Sequence, residues 1–249
     1  MLLGHSAVNP QCADKDARTP LSWAAGNDHE GVVRILLERS DVDPNISDEG
    51  DRTPLLWAAR TGHEGVVRML LGHSGVNPQC ADKAAQTPLL WAAMTGHEGV
   101  VRMLLGHSGV NPQCADKDAR TPLSWAAGND HEGVVRILLE RNDVGPDISD
   151  EGDRTPLSWA ARKGHEGVVR MLLGNSGVNP QCADKYARTP LSWAAGKGHE
   201  EVVRALLERN DVDHDISDEG GRTPLLWAAM TGHERVVRML LGHRGVNPQ

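Results

Sequence analysis

Thr53-Pro54-Leu55-Leu56-Trp57-Ala58-Ala59-Arg60-Thr61-Gly62-His63-Glu64-Gly65-Val66-Val67-Arg68-Met69-Leu70-Leu71 is the stretch that decides how this chain folds. Almost the same words begin again at Thr19, Thr87, Thr121, Thr155, Thr189 and Thr223, each start 34 residues after the last. A fixed period of this size marks an array of supersecondary units, none of which buries its apolar side alone. Thr53 is a good N-cap, and Pro54 suits the first helical position, where a missing N–H costs nothing. Leu55, Trp57, Ala58 and Ala59 then make a helix of about two turns. Gly62 ends it in a left-handed conformation. Gly96, Gly164, Gly198 and Gly232 match it, and Asp28 and Asp130 take its place in two units. A second helix runs from about Glu64 to Leu71 and is apolar at Val66, Val67, Met69, Leu70 and Leu71. Glu64 and Arg68, spaced i, i+4 with the acid first, recur in every unit and mark its solvent face. Helices this short are marginal alone, so burial against the next unit must stabilise them.

Two kinds of linker join the copies. One reads Gly75-Val76-Asn77-Pro78-Gln79-Cys80-Ala81-Asp82-Lys83, the other Asp41-Val42-Asp43-Pro44-Asn45-Ile46-Ser47-Asp48-Glu49-Gly50-Asp51. Pro and Asn followed by a polar cluster read as an extended segment entering a turn. Asn45-Ile46-Ser47 is a formal glycosylation sequon, but the matching sites begin with Asp147 and Asp215, so it reads as chance. Met1-Leu2-Leu3-Gly4-His5 matches the end of a second helix, and Val246 to Gln249 opens a linker. The chain is therefore expected to be a piece of a longer array. Its windows are a remnant at 1–13, repeats at 14–47, 48–81, 82–115, 116–149, 150–183 and 184–217, and an incomplete repeat at 218–249.

The 249 residues are 39% hydrophobic, with no Phe and one Tyr, which suits a thin core along a stack. A net charge of −8 argues against a phosphate-binding surface, so no nucleic-acid partner is expected. No apolar run is long enough to span a membrane, and no secretory signal opens the chain. Cys12, Cys80, Cys114 and Cys182 share one repeat position. Stacked helices lie roughly 8–10 Å apart, beyond the ~7 Å that a disulfide allows between Cα atoms. Free thiols suit a reducing compartment, the cytoplasm, with the nucleus left open.

The string Thr-Pro-Leu-x-x-Ala-Ala…Gly-His…Val-Val-x-x-Leu-Leu, copied seven times, resembles the ankyrin repeat. Ser22-Trp23, repeated at Ser124, Ser158 and Ser192, is similar to the ankyrin arrays of filamentous fungi, often attached to NOD-like receptor NTPases. The period departs from the family's usual 33. The tip glycine is displaced to Gly50, Gly152 and Gly220 or replaced by Ala17, Ala85, Ala119 and Ala187, which puts the tip geometry in question. The resemblance implies an all-α solenoid with uncapped ends and partner binding on its concave side, made of turn tips and first-helix ends. Within the chain, differences between copies concentrate at the residues after Ala-Ala, at the tips, and at the Ser/Leu position. Arg60, Met94, Arg162, Lys163, Tyr186 and Met230, with Lys83 and Glu151 at the tips, are the expected partner contacts.

Sharper signals are set aside on chemistry. His63-Glu64 is half of a zinc-protease motif, but the second His is replaced by Val67, so His63 is read as bonding to backbone. His73, His107 and His243 close second helices and are read as solvated cations on the helix dipole. The seven tryptophans form either a base-stacking platform or a buried stack joining units, and the buried stack is adopted. Gly196-Lys197-Gly198 lacks the rest of a phosphate loop. No convergent pocket is implied, so neither an enzyme nor a cofactor or metal is expected. The expected function is non-catalytic recognition of a protein by the concave face. The alternatives are a sensor or autoinhibitory fragment of a larger NOD-like receptor NTPase, and a structural spacer. Val236, Leu240 and Leu241 are expected to form an exposed apolar end face, leaving room for self-association.

Overall fold

The computed structural model describes residues 8–243. Most of the 1–13 remnant and the linker that closes the chain lie outside them. Among the described residues there are fourteen helices and no strand. The chain divides into two compact units, Met1–Lys117 and Asp118–Gln249. The first carries α1 (Pro20–Gly26), α2 (Glu30–Leu37), α3 (Pro54–Thr61), α4 (Glu64–Leu71), α5 (Pro88–Thr95) and α6 (Glu98–Leu105). The second carries α7 (Pro122–Gly128), α8 (Glu132–Leu139), α9 (Pro156–Lys163), α10 (Glu166–Leu173), α11 (Pro190–Lys197), α12 (Glu200–Leu207), α13 (Pro224–Met230) and α14 (Glu234–Gly242). Within each unit first helices pack on first helices and second on second, giving two layers.

Local chemistry sets the helix ends. Thr53 Oγ1 accepts the Leu56 N–H at 3.3 Å, and the same cap recurs from Thr19 to Thr223. Gly62, Gly96, Gly164 and Gly198 end α3, α5, α9 and α11 at φ between 74 and 83°. Asp28 and Asp130 adopt φ of 60 and 64°, and there the helix stops a residue earlier. Leu55, Ala58, Ala59, Val66, Val67 and Leu70 are wholly buried, and a buried leucine contributes about 1.5–3 kcal/mol.

Two expectations about surfaces are corrected. The Ser/Leu position is not a variable surface. Ser22, Leu56, Leu90, Ser124, Ser158 and Ser192 are all buried, and the serines meet the hydroxyl of their own cap threonine, as Ser22 does Thr19 at 3.2 Å. A two-turn helix presents too few residues for its periodicity to separate the stacking side from the solvent side. Val236 and Leu240 are also fully buried, because they face α13 and α12. Leu241 is exposed as expected, at 50%, and the apolar surface beside it on the last pair is Leu226 and Met230, at 44 and 59%. The Glu/Arg pair closes in α10 (2.9 Å) and α14 (3.8 Å), while Arg204 turns to Glu201 at 2.6 Å.

The tips keep one geometry throughout. The left-handed residue is Ala17, Asp51, Ala85, Ala119, Asp153, Ala187 and Gly221, always at the same repeat position. Gly50, Gly152 and Gly220 sit one residue earlier and are not left-handed, so the displaced glycine leaves the turn unchanged. Successive tips are joined by single backbone bonds, such as Lys83 N to Gly50 O at 3.1 Å and Glu219 N to Tyr186 O at 3.1 Å. A left-handed alanine costs about 1–2 kcal/mol, partly offset by the extra chain entropy that glycine loses. Ala85→Gly is therefore expected to stabilise the first unit by about 0.5–1 kcal/mol. A higher urea midpoint at unchanged slope would show it, and a lower midpoint would refute the strain argument.

The linkers are also tied. Asn45 Nδ2 donates to Gly75 O at 2.6 Å and its Oδ1 accepts the Asn77 N–H at 2.8 Å, which engages the sequon amide in the fold. All four cysteines are free, and burial pushes the Cys80, Cys114 and Cys182 thiols up.

Candidate functional site

The first-helix ends and the tips build one recurring arrangement. Each tip starts with an aspartate: Asp14, Asp48, Asp82, Asp116, Asp150, Asp184 and Asp218. In the second repeat, Asp48 Oδ1 accepts the N–H groups of Gly50 (2.8 Å) and Arg52 (3.1 Å), closing the turn. Its other oxygen accepts the Trp57 indole N–H at 3.1 Å. The same indole bond recurs at Trp23, Trp91, Trp159, Trp193 and Trp227, at 2.8–3.0 Å. Burial opposes ionisation of Asp48, Asp150 and Asp218. Bonds from backbone N–H groups and from Arg52, Arg154 and Arg222 outweigh it and hold all three carboxyls below the usual range.

The tryptophans are therefore neither a core stack nor an open platform. Trp159 is 8% exposed and Trp23 44%, and Trp57, Trp91, Trp125, Trp193 and Trp227 are half-buried. Arginines cover their rings. Arg18 lies 3.7 Å from the Trp23 centroid and 4.0 Å from Trp57, so one guanidinium bridges two repeats. Arg120 (Trp125 and Trp159) and Arg188 (Trp193 and Trp227) do the same. Such cation–π contacts are worth about 0.5–2 kcal/mol each. The signal was present in the sequence: an Asp nine residues, and an Arg five residues, before nearly every Trp.

In the first unit, Arg60 is half-buried, 5.3 Å from Trp57 and 4.7 Å from Trp91. Met94 is half-buried at the matching position of α5, and Lys83 is an exposed tip residue. In the second unit, Arg162 is 5.3 Å from Trp159 and 4.8 Å from Trp193. Burial, then Arg154 and Arg120, push its pKa down. Lys163 and Glu151 are exposed, as are Tyr186 (51%) and Met230 (59%). Lys185 and Arg188 flank the Tyr186 ring at 5.2 and 5.9 Å.

The histidines opening the second helices bond to backbone as expected, but reach the preceding repeat. His63 Nε2 pairs with Gly26 O at 3.2 Å, His97 with Arg60 O at 3.1 Å, and His199 with Arg162 O at 3.1 Å. His73 and His107 are half-buried and bond to the backbone of their own turns. Their Nδ1 atoms accept the Gly75 and Gly109 N–H groups at 3.2 Å. Among the described residues no group of three or more His, Cys, Asp or Glu is placed to hold a metal, and no helix is long and apolar enough to cross a membrane.

A family model described as ankyrin repeats matches residues 1–82, 41–116, 89–184 and 157–249. Among solved structures, the chain is similar to the ankyrin repeat domain of Bcl-3, described as a unique member of the IkappaB protein family. The two are 27% identical with a TM-score of 0.78, over 92% of this chain and 100% of that one. No curated protein matches the chain.

Proposed function

The chain belongs to the ankyrin-repeat family, and from that premise we propose that it is a non-catalytic module that recognises a protein partner on the face made by its first-helix ends and tips. One observation carries this reading. The face carries accessible positions that differ between copies: Gly26, Arg60, Met94, Gly128, Arg162, Gly196 and Met230 after the paired alanines, and the tip residues. The framework beneath them is nearly constant. Arg, Met and Tyr are enriched where proteins meet; first-helix ends supply the Arg and Met residues on rigid elements, and a tip supplies Tyr186.

Affinity capture tests it. The intact chain is compared with one carrying Arg60→Ala, Met94→Ala, Arg162→Ala and Tyr186→Ala, both shown to be folded. A partner retained by the first and lost by the second is the expected result. If both retain the same proteins, the face has been assigned wrongly.

A further inference from the structure

We propose that three arginines gathered on Trp57, and three matching ones on Trp159, form two sites for the carboxylate side chains of an acidic peptide segment. The proposal rests on the protein-binding reading above and names the chemistry of the partner. In the first unit, Arg18, Arg52 and Arg60 place their guanidinium carbons 4.0, 4.4 and 5.3 Å from the Trp57 centroid. In the second unit, Arg120, Arg154 and Arg162 lie 3.9, 4.3 and 5.3 Å from Trp159. The two constellations agree within 0.1 Å at every position. Other repeats do not complete the set: Gln86 replaces the tip arginine beside Trp91, and Gly196 and Met230 stand where the third arginine would be.

At each ring one buried carboxylate, Asp48 or Asp150, bonds the tip arginine, while the third arginine, Arg60 or Arg162, makes no ion pair with it. That carboxylate is already engaged by two backbone N–H groups, the indole N–H and its own tip arginine, and Asp150 also faces Arg120 at 3.7 Å. Exposed Asp14 and Asp16 act on Arg18 from outside the ring. At the second site Asp184 and Arg188 both act on Arg162, one of each sign. Among the described residues no carboxylate lies within ion-pair distance of Arg60 or Arg162. Their burial, with neighbours of like charge, is the situation that a carboxylate accepting two parallel N–H bonds relieves best.

A nucleic acid fits less well. Guanidinium groups already crowd both tryptophan rings and aspartate holds both indole edges, so no open ring is left for a base to stack on.

The test is fluorescence anisotropy at low ionic strength on the full chain. The probes are labelled decaglutamate, decaglutamine and oligothymidine of equal length. Decaglutamate is expected to bind saturably, to quench tryptophan emission and to weaken with salt, while decaglutamine does not bind. Arg60→Gln with Arg162→Gln should weaken decaglutamate by about tenfold or more, while Arg68→Gln with Arg136→Gln on the second helices leaves it unchanged. If the glutamine pair does not fold, Arg60→Lys with Arg162→Lys replaces it, keeping charge but losing the fork, and a loss of roughly threefold or more is expected. No saturable binding of decaglutamate, an affinity indifferent to Arg60 and Arg162, or tighter binding of oligothymidine would each overturn the proposal. If it fails while Met94→Ala with Tyr186→Ala still abolishes capture of a protein partner, the protein-binding reading stands and only the carboxylate chemistry falls.

Discussion

Asp150→Ala is expected to lower the stability of the second unit by about 3–5 kcal/mol, the cost of removing one partner from a buried charged network. Asp150 is 4% exposed and accepts from Gly152 N (2.8 Å), Arg154 N (3.1 Å), Trp159 Nε1 (2.9 Å) and the Arg154 guanidinium (3.1 Å). Its loss would leave the tip turn unlatched, an indole N–H without its acceptor and the guanidinium groups of Arg120 and Arg154 without their carboxylate. The matching residue of the third repeat is an internal comparison. Asp82 holds Ala84 N, Gln86 N and Trp91 Nε1 at 2.9–3.0 Å but has no tip arginine. Asp82→Ala is therefore expected to cost about 1–3 kcal/mol, the penalty of unsatisfied donors without the charge. Urea unfolding followed by tryptophan emission measures both. Equal costs at the two positions would mean that the arginines add nothing to the latch.

Acid should unfold the chain in two stages. His199 is held below its usual pKa by burial first, with His165, His233 and Lys197 adding to it, so the unfolded state binds the proton more readily. Stability is then expected to decline gently as pH falls below about 6.5. The steeper loss comes from Asp48, Asp150 and Asp218, whose folded carboxyls titrate lower than unfolded ones. Their contribution is complete above the unfolded carboxylate value, about 3.9, and disappears as pH falls through the folded values. Asp147, which burial pushes up, acts in the opposite sense at one linker. Urea midpoints measured from pH 7 to pH 3 should fall throughout, most steeply below about pH 4. Midpoints that rise on acidification would contradict the sign assigned to the aspartates, and His199→Gln should flatten the first stage alone.

Much of this was legible in the residues because it is local. A threonine followed by proline caps a helix with bonds spanning three residues, and a glycine before histidine ends it through its own φ. The seven copies announced a stack, since two-turn helices are stable only by burial against one another. Arg60, Met94, Arg162 and Met230 could be placed on the accessible face because they follow the paired alanines directly. The chemistry of that face was harder to read. The Trp–Asp bond closes over nine residues and a turn, and helical periodicity cannot reveal it. The histidines that open the second helices find their acceptor 37 residues back, on another repeat.

By itself, then, the sequence determined the helices, their caps, the repeat period and the family, because each follows from contacts within one turn or from the copying of one unit. Only the tertiary structure decided which side of the first helix is stacked and which is open. It also decided that the tryptophans, most of them half-buried, lie under arginines contributed by two repeats. Those outcomes depend on neighbours contributed by the next repeat, where packing and charge from two units compete for the same side chain.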